Sequence, residues 1–265
     1  MTDRAALLRA IAAAPWDDLP RLVFADWLDE NGEPDRAEYI RLEIEIERHL
    51  AAGENPPAEH LARRRQFAEA VTRWHAELPK LPGLTWGKRF RRGFPVAATV
   101  ANLEQIVRHA EAFDGLVPLE SLKARSVPFR AWEKFLESPV LSRLRSLDFT
   151  GCELGNDAVA DLARTRGVSH LTFLGLARNG LSDGAAVALA ASGFLASLEV
   201  LDIEFNDITD AGAEALAVSP HLRKVVSVRH AGNPIQGAGV SGMPWLRWME
   251  FVNRSIAGER RPDAR

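Results

Sequence analysis

Three segments spaced 27 residues apart constrain this chain more than any other feature: LRSLDFTGCEL from Leu144, LTFLGLARNGL from Leu171 and LEVLDIEFNDI from Leu198. Each reads L-x-x-L-x-L/I/F-x-x-N/C-x-L/I. A weaker fourth copy keeps the register at Val225, Val228, His230, Asn233 and Ile235. A period held without a gap marks a repeat array. Leu174 and Leu176 flank Gly175, and this period of two predicts a short strand with both leucines on one face. Asn179, Asn206 and Asn233, with Cys152 in the first clear copy, stand where each strand ends. Their amides suit the backbone groups left open there, so stacked copies predict a ladder. Cys152 is the single cysteine, has no internal disulfide partner and is read as structural.

A helix is expected after each turn. Asn156, Asp183 and Asp210 fall four residues past the ladder position and are N-cap types. Leu162-Ala163, Leu189-Ala190 and Leu216-Ala217 supply the inward side. The fourth copy has Gly237 and Met243-Pro244 at these places, which ends the array. Upstream, LESLKARSVPF (Leu119–Phe129) followed by AWEKFLESP reads as an eroded copy.

The pattern resembles leucine-rich repeats, and the long strand–helix unit resembles the ribonuclease-inhibitor-like subtype. The resemblance implies an α/β fold, a leucine-rich repeat solenoid with its parallel sheet concave and its helices convex.

Helices are expected over Thr2–Ala14, Pro20–Asp29 and Asp35 to about Leu50, and a fourth, beyond Gly53 and Pro56-Pro57 and rich in Arg63–Arg65, to about Leu78. Asp35 with Glu38 reads as a capping box. Glycines and prolines between 79 and 100 predict a connector, and Asn102–Phe113 a further helix. The expected organisation is a helical N-terminal cap domain at 1–78, a connector at 79–100, a solenoid at 101–242 with clear units from 144, and a C-terminal cap and tail at 243–265. RLVFADWLDENGEPDRAEYIRLE resembles the helical repeat-companion domain found ahead of degenerate leucine-rich repeats in bacterial proteins, and RFRRGFP (Arg89–Pro95) resembles the connector that follows it. That resemblance implies kinship and no known activity.

The net charge is -3, but residues 1–50 carry 12 acids against 6 bases. Glu43, Glu45 and Glu47 alternate with Ile44 and Ile46, and so spread around a helix. Asp26, Asp29 and Glu30 line a polar side. A catalytic or metal set must converge, so these acids are read as a solvated face with capping residues, and a docking surface is the sharper reading. The histidines lack zinc spacing, and His230 falls on an inward position of the last repeat. GAGVSG (Gly237–Gly242) matches a dinucleotide glycine pattern, but Pro244 and the repeat register place it in a turn. MPWLRWMEFV (Met243–Val252) spaces its aromatics as an end cap would. No apolar run is long enough to cross a membrane, and the first residues lack a secretory signal. A cytoplasmic location is therefore expected.

The leading functional reading is a non-enzymatic scaffold that binds another protein on the concave face. The strand period places Ser146, Phe173, Val200 and Ser227 in one outward column, Asp148, Gly175, Asp202 and Arg229 in a second, and Thr150, Ala177, Glu204 and Ala231 in a third. Arg178 and Phe205 follow at the rim. Asp148, Phe173, Arg178, Asp202, Glu204, Phe205 and Arg229 are the candidate binding residues, forming an exposed apolar–acidic patch suited to a partner with a basic segment. Catalytic residues, metal ligands and cofactors are not expected. The alternative is an RNA- or phosphate-binding module using the basic segments 62–66 (ARRRQ) and 87–94 (GKRFRRGF).

Overall fold

The computed structural model describes residues 3–109 and 118–236, and the chain divides into two compact units, Met1–Leu122 and Lys123–Arg265. The first unit opens with α1 (Asp3–Ala13), α2 (Leu19–Glu30), α3 (Pro34–Ala51), α4 (Ala58–Gln66) and α5 (Ala68–Ala76). Pro20 and Pro34 sit in the first turns of α2 and α3, where a missing N–H costs nothing. α3 is apolar on two sides. Ala37, Ile40 and Ile44 pack with Ile11, Phe24, Leu28 and Phe94. Tyr39, Leu42 and Ile46 pack with Phe67, Trp74 and Phe90.

Strands follow the helices: β1 (Leu84–Trp86), β2 (Phe90–Arg91), β3 (Phe94–Pro95) and β4 (Ala97–Val100), then α6 (Glu104–Arg108). β1 pairs antiparallel with β4, and β2 with β3. The stretch expected to be a connector is therefore built into the first unit. Its glycines and prolines shape tight turns, and the β2–β3 hairpin delivers Phe90 to one apolar cluster and Phe94 to the other. Gly93 has φ +83, and a Cβ there would lie 2.2 Å from Ile40 Cγ1, so only glycine fits the closed turn. The expected capping box is absent, because α3 starts one residue earlier, at Pro34, and Glu38 turns to Arg63 instead, at 2.6 and 2.7 Å. The division between units falls within β5 (Ser121–Ala124).

The second unit alternates helices with strands: α7 (Phe129–Leu136), β6 (Ser146–Asp148), α8 (Gly155–Arg164), β7 (Phe173–Gly175), α9 (Asp183–Ala190), β8 (Val200–Asp202), α10 (Asp210–Ala217) and β9 (Ser227–Arg229). β6 to β9 run parallel in chain order, with Leu147, Leu174, Leu201 and Val228 in one register row. Leu147, Leu174 and Leu201 are fully buried, whereas Leu222, Val225 and Val228 of the last copy are only half-buried.

The ladder residues join successive copies. Asn179 Oδ1 accepts from the backbone N–H of Cys152 and Leu154 (both 3.1 Å), while its Nδ2 donates to the carbonyls of Phe149 and Ala177. Asn206 repeats the arrangement on Asn179 and Leu181, and Asn233 Oδ1 accepts from Ile208. Asn156, Asp183 and Asp210 depart from their expected role. Each lies inside its helix and reaches forward to the next copy. Asn156 Oδ1 accepts from Ser182 N, and Asp210 Oδ1 from Gln236 N. Asp183 accepts from Thr209 N, Thr209 Oγ1 and Gly212 N. These side chains form a second ladder between helix starts.

Among the described residues, no helix is long and apolar enough to cross a membrane. The segments Gly237–Gly242 and Met243–Val252, the tail to residue 265 and the end of the helix expected through Phe113 lie outside the described residues.

Candidate functional site

The candidate site is built on the sheet face opposite the helices, where side chains alternate away from the leucine core. The sequence expects an exposed apolar–acidic patch on this face; instead, Asp148 and Asp202 are each matched by a cation within the second unit. Lys123 Nζ lies 2.7 Å from Asp148 Oδ2. Arg229 Nη1 lies 3.5 Å from Asp202 Oδ2. Burial works to raise the Asp148 carboxyl, but bonds from Lys123 and from Thr150 outweigh it and hold the group below its usual range. Asp202 is buried, and its Oδ1 accepts from Glu204 N at 3.1 Å. Two ion pairs therefore flank a gap at Gly175.

Phe173 covers that gap. Its ring lies so close to Gly175 that a Cβ there would be 3.1 Å from Cε1 and 2.9 Å from Asp148 Oδ1. The ring is half-buried, where the sequence expects exposure. Glu204 is half-buried and Ala177 buried.

The rim differs from the face. Phe205 is 48% exposed, and the guanidinium of Arg178 lies 4.0 Å above its ring centroid. Both residues have left-handed backbone, Arg178 at φ 57 and Phe205 at φ 54. The equivalent positions in the flanking copies are Gly151 at φ 73 and Gly232 at φ 76. Sequence reasoning missed this conformation and the role of Lys123. The signal was present in the two glycines at the repeat spacing on either side.

Cys152 is buried, and its thiol donates to the Ala124 carbonyl at 3.3 Å. Burial first, then Asp148, pushes the thiol up to about 11, with Lys123 opposing. A thiol so held is poorly nucleophilic at neutral pH.

The acids of the first unit meet arginines. Asp26 and Asp29 both pair with Arg41, at 2.6 and 2.7 Å. Arg91 joins Glu47 and Glu120, at 2.7 and 2.6 Å. Glu43 lies buried at the α3 surface and not on a solvated face. Burial raises its carboxyl, while Arg64 and the Tyr39 hydroxyl oppose that rise. Among the described residues, no group of His, Cys, Asp and Glu is arranged to hold a metal ion. The basic segments are largely committed as well. Arg63 pairs with Glu38, Arg64 approaches Glu43 at 3.7 Å, and Arg92 Nη1 reaches the Trp16 carbonyl and Asp18.

Comparison with known families agrees with the repeat geometry. A family model described as Leucine Rich repeat matches residues 142–163, 169–190 and 195–217. This stretch therefore carries leucine-rich repeats, and it contains β6 through α10. No curated protein matches the chain.

Proposed function

We propose that this protein is a non-enzymatic interaction module that binds another protein through the open strand face of its repeat array. The observation that carries the reading is the sheet face itself. Short parallel strands hold outward side chains in fixed rows, with the aromatic Phe173 at the centre and Phe205 at the rim. Repeat arrays of this kind form solenoids whose concave surface is the usual binding surface, and rigid aromatic anchors ringed by charge suit protein recognition. Asp148, Phe173, Arg178, Asp202, Glu204, Phe205 and Arg229 are the proposed contact set. Asp148, Asp202 and Arg229 act within it through ion pairs that hold the face in shape. Cys152, Asn179, Asn206 and Asn233 are proposed as the structural ladder.

Three further readings rest on the sequence: the ribonuclease-inhibitor-like subtype, the helical companion domain at the N-terminus with its bacterial kinship, and a cytoplasmic location. The rival RNA- or phosphate-binding reading loses support from the in-chain pairing of Arg63, Arg64, Arg91 and Arg92.

The test is affinity capture with the wild-type chain, a face variant (Phe173→Ala with Glu204→Lys) and a helix-side control (Val187→Ala). All must have matched melting temperatures. A protein lost with the face variant and kept by the control is the expected result. Recovery of every captured protein by the face variant sinks the reading. Capture of nucleic acid that weakens steeply with salt favours the rival.

A further inference from the structure

The repeat backbone takes a left-handed turn one residue before each ladder position, at Gly151, Arg178, Phe205 and Gly232. Glycine meets that demand without strain, whereas any Cβ crowds the following carbonyl. Two of the four copies nevertheless place a large side chain there. Those two side chains touch, with the Arg178 guanidinium 4.0 Å over the Phe205 ring. The other neighbour of the ring is the Gly232 backbone, where a Cβ would lie 2.5 Å from Phe205 Cδ1. Phe205 is thus held between a cation and a glycine, yet stays 48% exposed.

The charges around this stack decide what it suits. Lys123 and Arg229 are spent on Asp148 and Asp202. Arg178 has no carboxylate within ion-pair distance among the described residues. Glu204 lies across the adjoining strand end and accepts the Arg178 backbone N–H through its carbonyl, but its carboxylate does not take the guanidinium. A guanidinium held over an aromatic ring and bonded to no carboxylate keeps N–H donors free, and its fork matches a carboxylate. A phosphate is favoured by several converging cations, and among the described residues Arg178 is the one cation stacked on Phe205.

We infer that the Arg178–Phe205 stack is the anchor for an acidic peptide segment of a protein partner, one carboxylate meeting the guanidinium and an adjacent apolar side chain meeting the exposed edge of Phe205. This deepens the proposed function and rests on that reading.

The test is panning of a phage-displayed random dodecapeptide library on the immobilised full chain, followed by binding measurements with the synthetic consensus peptide. Wild type is expected to enrich sequences that place Asp or Glu beside an apolar residue. Affinity for the consensus peptide should fall at least tenfold with Arg178→Ala and with Phe205→Gly, and hold with Val187→Ala. Phe205→Gly restores the residue the backbone favours, so its melting temperature should be kept or raised while binding is lost. That result separates an anchor from a structural role. Enriched peptides without acids, or binding indifferent to Arg178→Ala, overturn the inference. If such binding is still lost with Phe173→Ala, the strand-face reading survives and only the anchor is wrong. If nothing is enriched, or neither substitution matters, the strand-face reading fails and the anchor with it.

Discussion

Asn179 makes four hydrogen bonds from one short side chain, all to backbone groups, three of them buried and one part-buried. Replacing it with alanine strips the Leu154 N–H of its acceptor, while Cys152 N–H and the Phe149 and Ala177 carbonyls each keep one backbone partner, and an unmet group costs about 1–3 kcal/mol. Asn179→Ala should therefore lower unfolding stability by about 1–3 kcal/mol, measured by urea denaturation. A loss under about 1 kcal/mol would mean that water replaces the amide. This ladder was legible in the sequence, because an asparagine that recurs at a fixed place after an alternating strand is suited above all to the backbone groups open there. The rim was not. Arginine and phenylalanine are poor left-handed residues, so nothing in their type announces φ 57 and φ 54. Nor does spacing reveal that Lys123 closes on Asp148, because that contact belongs to an eroded copy whose register with the next has slipped from 27 residues to 25.

At the scale of the element, β9 is the least buried of the four repeat strands, and His230 follows it directly. It stands where Phe149, Leu176 and Ile203 stand in the earlier copies, all three essentially buried. Burial lowers its basicity from the usual 6.5, so the folded chain holds it neutral while the unfolded chain takes a proton. The folded state then binds fewer protons than the unfolded one, and stability must fall as pH drops below about 6.5. His230→Leu should remove that loss and raise the melting temperature, more at pH 5 than at pH 7.5. An equal gain at both values would assign the effect to packing alone. In the first unit, Arg91→Met strands Glu47 and Glu120, whose side chains are 14% and 7% exposed, and should cost about 3–5 kcal/mol by chemical denaturation at neutral pH. Most helices of both units were readable from apolar spacing, but the single helix expected to about Leu78 is divided at Phe67 into α4 and α5. The strands between 84 and 100 were not, because they are two to four residues long and interrupted by the glycines and prolines that usually mark loops. The role of Asn156, Asp183 and Asp210 was misread for a related reason. A side chain one residue inside a helix looks like a cap until the next copy is stacked beside it.

Across the whole array, stability is a sum of repeats and the interfaces between them, so a substitution should be felt according to how many neighbours its copy has. Leu174 lies in β7, with a paired strand on each side, and is fully buried. Val228 occupies the same register row in β9, is half-buried, and has a paired strand on one side among the described residues. Deleting a buried leucine removes its transfer energy and leaves a cavity, typically costing 2–5 kcal/mol. At the end of the row, much of the valine surface is already wet and little cavity can form. Leu174→Ala should thus cost about 2–5 kcal/mol, and Val228→Ala under about 1 kcal/mol, since side chains that stay exposed have little burial to lose. Urea denaturation of both variants, followed by circular dichroism, measures the contrast. Equal losses would mean that the last copy is covered as well as the central ones, and the covering group would then have to come from beyond Gln236 or from a bound partner.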